Sequence, residues 1–244
     1  NNLYFFNRYK GSNVTHYSNM AAFLNITLPF NIRYHASFNY SWRDALQKQH
    51  PTLGDAYSFS RDETAYTYND LSKLYLKYTQ SHTGRWVFQT RLDWAESFGK
   101  HDVTAMVGFE AYQVKDQSFA STKTGFENDV LEELNNVIEA TTIEGTQNDY
   151  AAASLYGRAT YAYDSRYLAE VNIRYDGSSR FARRSRWGLF PSVSAGWRIS
   201  EEGFMEGSGI DNLKLRASWG QLGNNSIGNY DYLSTYASGY SYAI

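Results

Sequence analysis

Over residues 30–42, "FNIRYHASFNYSW", the even positions are Phe30, Ile32, Tyr34, Ala36, Phe38, Tyr40 and Trp42. The odd positions between them are Asn31, Arg33, His35, Ser37, Asn39 and Ser41. A strict period of two sorts the chain onto two faces only if it is an extended strand. The pattern recurs along the chain. It gives Ala22, Leu24, Ile26 and Leu28 within 20–28, and Trp86, Phe88, Leu92 and Trp94 within 86–96. It gives Val103 to Ala111 within 103–111, Leu155 to Tyr163 within 155–163, and Tyr167 to Tyr175 within 167–175. The last two runs are Trp187 to Ile199 and Leu213 to Trp219. Eight strands are predicted, so the fold class is all-β and antiparallel, running up and down.

The connections predict where those strands end. Short links at 29–30, 98–101, 164–166 and 200–212 alternate with long ones at about 43–84, 117–149 and 176–186. In an up-and-down arrangement all the short links fall at one end. That is the layout of an outer-membrane barrel, with short turns on one side and long loops on the other. "ENDVLEELNNVIEATT" (127–142) is expected to hold a short helix, and "SEEGFMEGSGIDN" (200–212) to be a structured turn.

The oily face is the right height for a bilayer. Trp187 and Trp197 share a parity ten residues apart, about 33 Å along a strand. At a barrel tilt this projects to roughly 25 Å, the height of the apolar band between aromatic girdles. Tyr167 and Tyr175 bracket Ala169, Val171 and Ile173 in the same way. Tyr167, Tyr175, Trp187 and Trp197 are therefore expected at the membrane interface. The opposite parity carries Arg33, His35, Glu170, Arg174, Arg198, Lys214 and Arg216. Charges in that number are costly in a dry core and stable against a watery lumen. Of these, Arg33, Arg174, Arg198 and Arg216 are the candidate lumen-facing residues. Composition agrees: 22 Tyr and 6 Trp sit in a polar chain of mean hydropathy −0.57. A soluble β-sandwich with the same alternation is the rival reading.

Three stretches resemble one family closely. They are "RYDGSSRF" at the end of one strand, "GLFPSVSAGWRISEE", and "LKLRASWGQLGNN". They lie within 154–205 and 210–232, about a third of the chain. All three resemble the barrel of SusC/RagA-like TonB-linked outer-membrane transporters. "FGKHDVTAMVGFEAY" (98–112) is similar more loosely, and 43–84 and 117–149 match nothing recognisable. The resemblance implies a barrel of about 22 strands plugged by an N-terminal domain. Residues 1–244 would then be a partial barrel, a central-to-late piece of one transmembrane β-barrel domain. It further implies import of oligosaccharides or peptides across the bacterial outer membrane, powered by TonB. A SusD-like surface lipoprotein would serve as lid.

The residues give little sign of catalysis. The five His (16, 35, 50, 82, 101) lack metal-ligand spacing. The carboxylate neighbours Glu132–Glu133 and Glu201–Glu202 point apart on an extended chain. No enzyme, metal or cofactor is expected. A net charge of −2 argues against nucleic acid, and the absence of Cys excludes disulfides. "RYDGSSRFARRSR" (174–186) reads first as a solvated hairpin tip, with anionic lipid head groups or a partner as the other readings. "DAYSFSRDETAYTYND" (55–70) sets Tyr57, Phe59, Tyr66 and Tyr68 among polar residues and is the candidate ligand or lid contact; packing of the loop is its rival. Two other functions stay open: a complete small eight-stranded barrel with a structural or adhesive role, and a soluble carbohydrate-binding β-module.

Overall fold

A computed structural model describes residues 9–52, 54–58, 63–68, 74–126, 130, 133–136 and 141–234. The strands are β1 (Tyr9–Leu28), β2 (Ile32–Pro51), β3 (Gly54–Ser58), β4 (Glu63–Tyr68), β5 (Tyr75–Phe98) and β6 (His101–Thr124). They continue with β7 (Thr141–Tyr163), β8 (Tyr167–Ser178), β9 (Trp187–Arg198) and β10 (Lys214–Gly220). Eight of them form one sheet in the order β1-β2-β5-β6-β7-β8-β9-β10, and β3 pairs β4 in a separate two-stranded sheet. Among the described residues β1 and β10 do not pair, so these eight strands alone do not close a barrel. A complete eight-stranded barrel is thereby set aside for the described chain.

The eight strands of the larger sheet are those read from the sequence, but five are far longer, and β3 and β4 fall where a loop was expected. β5 and β6 have 24 residues each, about 80 Å at 3.3 Å per residue, where crossing a bilayer takes about 9–11 residues. The connections expected at 43–84 and 117–149 are therefore shorter than predicted: β2 runs on to Pro51, β5 starts at Tyr75, β6 ends at Thr124 and β7 starts at Thr141. The reason is physical. Alternation reports an apolar face, whereas a strand needs only backbone pairing, and Thr141–Asn148 is strand with every side chain exposed. The helix expected in 127–142 is, among the described residues, one 3-10 turn at Leu134–Asn136.

Tight turns set the register. Phe30 and Asn31 have φ 63° and 57°, and Asp164 and Ser165 have φ 50° and 54°. Positive φ at both central residues is the hairpin geometry that matches strand twist. Phe30 thus belongs to the turn and β2 begins at Ile32, two residues later than the alternation suggested. The Asp164 carboxylate takes Lys100 Nζ at 2.9 Å and Arg166 Nε at 3.5 Å, tying two neighbouring turns together.

The described residues fall into two compact units. The first comprises Asn1–Asn19, Ser41–Gly84 and Lys115–Asn148. Its small core is Leu74, Leu76 and Phe126, with Tyr78 and Leu134 packed on it. His50 is fully buried there, its Nδ1 2.8 Å from the Tyr75 carbonyl and its ring 5.2 Å from that of Phe126. The second unit comprises Met20–Tyr40, Arg85–Val114 and Asp149–Ile244 and contains the three recognisable motifs.

Candidate functional site

In the second unit, cross-strand register sorts β7 to β10 into two faces. Tyr163, Tyr167, Trp197 and Leu215 form one row; Ala159, Val171, Val193 and Trp219 form another; Leu155, Tyr175 and Leu189 a third. This face is exposed, with Val171 at 44%, Leu189 at 54% and Trp219 at 62%. A soluble sandwich would bury it. Here the buried side chains of the same strands are Ser154 and Ser178. Soluble monomers rarely leave a continuous apolar face of this kind open.

Aromatics flank the apolar rows at both ends. At one end Tyr175 stacks on Trp187, ring centroids 5.0 Å apart and planes 18° from parallel. A Cβ on Gly177 would sit 2.7 Å from the Trp187 indole, so only glycine lets the ring lie flat there. Gly177→Val should displace the indole and cost about 1–3 kcal/mol, read as a lower denaturant midpoint of the detergent-folded full-length protein.

At the other end Tyr163 and Tyr167 stack at 6.4 Å. The turn after β9, two 3-10 turns at Ile199–Glu201 and Gly203–Met205, brings Glu202 back onto this end. Glu202 Oε1 accepts from the Tyr167 hydroxyl at 2.7 Å and from Trp197 Nε1 at 3.0 Å, and Arg166 Nη1 lies 3.4 Å from Oε2. These bonds, that from Tyr167 first, hold the Glu202 carboxyl below its ordinary pKa. A depressed carboxylate adds stability that is present above its unfolded pKa and lost as pH falls through the lower folded value. Protease resistance of the 199–210 turn should therefore drop on acidification below the usual carboxylate range. Glu202→Gln should lower it already at neutral pH and flatten that dependence; an unchanged profile would remove Glu202 from this role.

The polar face carries Arg158, Arg174, Arg198, Lys214 and Arg216 against Glu170 and Asp176. Of the four candidate arginines, Arg33 is exposed on β2 and Arg216 is exposed on β10 opposite Gly196. Arg198 is bound at the strand end, donating to Glu201 Oε1 at 2.8 Å and to the Ser165 carbonyl at 3.3 Å. Arg174 is the most engaged. Its Nε reaches Asp176 Oδ1 and Oδ2 at 2.7 and 2.9 Å, its Nη2 donates to Ser154 Oγ at 2.9 Å, and it lies over the Tyr156 ring. Tyr57, Tyr66 and Tyr68 lie on the β3–β4 hairpin, where the backbone pairs Ala56 with Tyr66 and Gly54 with Tyr68. Phe59 lies outside the described residues. The hairpin belongs to the first unit and the four arginines to the second.

What the sequence reading missed is a strap. After Gly220 the chain leaves β9 and crosses the polar face. Gln221 N donates to the Pro191 carbonyl at 3.0 Å. A Cβ on Gly223 would meet the Phe190 ring at 2.3 Å, so the strap backbone lies against that ring. Arg180 then latches it: Nε donates to Asn229 Oδ1 at 2.9 Å, Nη1 donates to the Asn225 carbonyl at 3.0 Å, and the guanidinium sits 4.3 Å over the Tyr150 ring. Asn225 Nδ2 donates to the Tyr150 hydroxyl at 3.1 Å, and Tyr230 OH accepts from Asp149 N at 3.2 Å. Between strap and sheet lies a cleft of about 470 Å³. The "RYDGSSRFARRSR" segment is therefore more than the solvated tip expected: Arg183 and Arg184 are exposed, while Arg174 and Arg180 build the cleft and its latch. Nothing local in the sequence marks Tyr150 or Asn229 as its partners. Among the described residues, no group of three or more His, Cys, Asp or Glu is placed to hold a metal.

The three motifs thus build the wall and the strap of one sheet, and a family model matches the same chain end to end. The model for the TonB dependent receptor-like β-barrel covers residues 1–243. The chain belongs to that family. It is 31% identical over 222 residues to the TonB-dependent receptor SusC of Bacteroides thetaiotaomicron, covering 87% of this chain and 20% of SusC. It is 40% identical over 146 residues to the TonB-dependent receptor P39 of Formosa agariphila, covering 59% of this chain and 14% of the relative. The fold matches the RagAB peptide transporter at TM-score 0.80 and 24% identity, over 93% of this chain and 25% of the other. The chain thus spans about a fifth or less of the length of these two curated relatives. Its family and SusC-like character place it with outer-membrane β-barrels.

Proposed function

We propose that this chain is barrel wall of an outer-membrane importer, with the apolar face of β7–β10 against lipid and the polar face lining the conduit. The observation that carries the reading is the register, which over Ala152–Tyr163 and β8 to β10 collects every large apolar residue except Tyr156, Leu168 and Phe190 onto one exposed face. Tyr167, Tyr175, Trp187 and Trp197 take the interface role, and Arg33, Arg174, Arg198 and Arg216 line the lumen. The cargo is an oligosaccharide or a peptide; TonB supplies the energy and a SusD-like lipoprotein closes the outer end. Family membership, the SusC relative and the RagAB-like fold support this. Tyr57, Phe59, Tyr66 and Tyr68 remain the proposed ligand or lid contact.

The test is uptake by cells carrying the full-length gene. Growth on one class of oligosaccharide or peptide should require both the gene and TonB, and an affinity-tagged protein should bring down a surface lipoprotein. Growth that is indifferent to TonB would overturn the importer reading. The faces have a separate test, helped by the absence of Cys from this chain. In the full-length protein with any cysteines elsewhere removed, a cysteine at Val193 should react with a membrane-dissolved maleimide. One at Ser194 should react with a water-soluble one. The reverse pattern would exchange the two faces.

A further inference from the structure

Among the described residues, the cleft beneath the strap holds a cation with no counter-charge. Arg186 lines it, and its Nε is buried without a hydrogen-bond partner. Among the described residues no carboxylate pairs with it: the cleft's own acid, Asp176, is already held by Arg174 Nε through both oxygens. The next cation along, Arg180, has only neutral acceptors and a ring. A half-buried guanidinium left this way is costly unless an anion completes it. The rest of the lining suits a small solute. Phe190 offers an apolar face, and Asn224, whose Oδ1 accepts from Ser226 N at 2.8 Å, keeps its amide hydrogens for a ligand. The volume of about 470 Å³ is that of a small-molecule site.

We infer that this cleft binds a carboxylate-bearing solute, with Arg186 gripping the carboxylate in a fork-to-carboxylate geometry. The inference rests on the importer reading, since it places the cleft on the conduit wall. Two cargo classes carry such a group: a short peptide through its C-terminus, and an acidic oligosaccharide through its uronates.

The experiment is calorimetric titration of the detergent-purified full-length protein with four probes: N-acetylated trialanine, its uncharged C-terminal amide, trigalacturonate and a neutral galactose trimer. One of the two acids should bind, and its uncharged counterpart about ten- to a hundredfold more weakly, the loss expected of one charge-assisted contact. Arg186→Gln should weaken the acid by the same factor and leave the neutral analogue unchanged, while Arg186→Lys recovers part of the loss. N-acetylated trialanine or trigalacturonate as the responsive probe identifies the source. Heat-modifiable migration of both variants shows that the barrel is assembled. Equal binding of acid and neutral analogue, no binding of either acid, or an indifferent Arg186→Gln overturns the carboxylate site. Those results leave the importer reading standing if growth still depends on TonB, so the two fail separately.

Discussion

Val193→Arg is expected to destabilise the full-length protein in a bilayer by about 2–4 kcal/mol, while Ser194→Arg, one residue along, costs little. Val193 sits mid-strand between Trp187 and Trp197, opposite Val171 on one side and Trp219 on the other, and is 45% exposed on the apolar face. In lipid, a guanidinium there has neither water nor an anion. Ser194 faces the other way, opposite Glu170 and Ser218, beside a hollow of about 250 Å³ that Glu170, Lys214 and Arg216 also line. An arginine there finds space, water and a carboxylate. Equilibrium unfolding of the refolded full-length protein in lipid vesicles measures both variants against the parent. A soluble module with a covered core on the Val193 side would show the same preference, but it would stay monomeric in detergent-free buffer, which separates the two. Equal effects at the two positions would sink the lipid assignment.

The second large effect is expected at Arg180, through the strap and not the barrel. Arg180 makes two charge-assisted hydrogen bonds and a cation–π contact to a strap and strand that are otherwise joined by single neutral bonds. Its loss removes the guanidinium donor from the Asn229 amide oxygen and from the Asn225 carbonyl, which keeps only the local bond from Ile227 N at 2.8 Å. Arg180→Ala should therefore release residues 221–230 at a local cost of about 3 kcal/mol, roughly a hundredfold loss of amide-exchange protection. Arg180→Lys should recover only part, because a single ammonium cannot serve two acceptors in a fork and stack on Tyr150 together. Hydrogen exchange read by mass spectrometry on the full-length protein distinguishes the strap from β8 and β9, whose protection should stay. An Arg180→Ala variant with unchanged strap protection would show that Gln221, Gly223 and Tyr230 hold it unaided.

The strap shows why the sequence was legible in one region and silent in another. Residues 187–198 announce themselves because apolar and polar side chains alternate there without a break, one kind on each face. Residues 43–51 and 141–148 are strand too, yet their alternation is weak, and backbone pairing alone extends the strands there. The loop expectation failed there for that reason. The hairpin turns at Asp164–Ser165 and after Leu28 were legible, the first from its polar residues and the second from Pro29. The positive φ of Phe30 was not, since an aromatic residue disfavours that conformation and only the pairing of its flanking strands enforces it.

Glu202 marks the same divide. The sequence shows "ISEE" just after Trp197, and nothing in that spacing says which glutamate turns back. The 3-10 turns decide it, directing Glu202 to Tyr167 and Trp197 and leaving Glu201 to Arg198. The sequence alone determined the eight strands of the larger sheet, their two faces and the family, because period-two alternation and contiguous motifs are local properties of the chain. Tertiary structure decided the strand lengths, the strap across the polar face and the seat of Arg186 in the cleft, without a carboxylate partner among the described residues. Each of these depends on partners distant in sequence, such as Arg180 and Asn229 or Phe190 and Gly223, whose meeting is set by register and packing rather than by spacing along the chain.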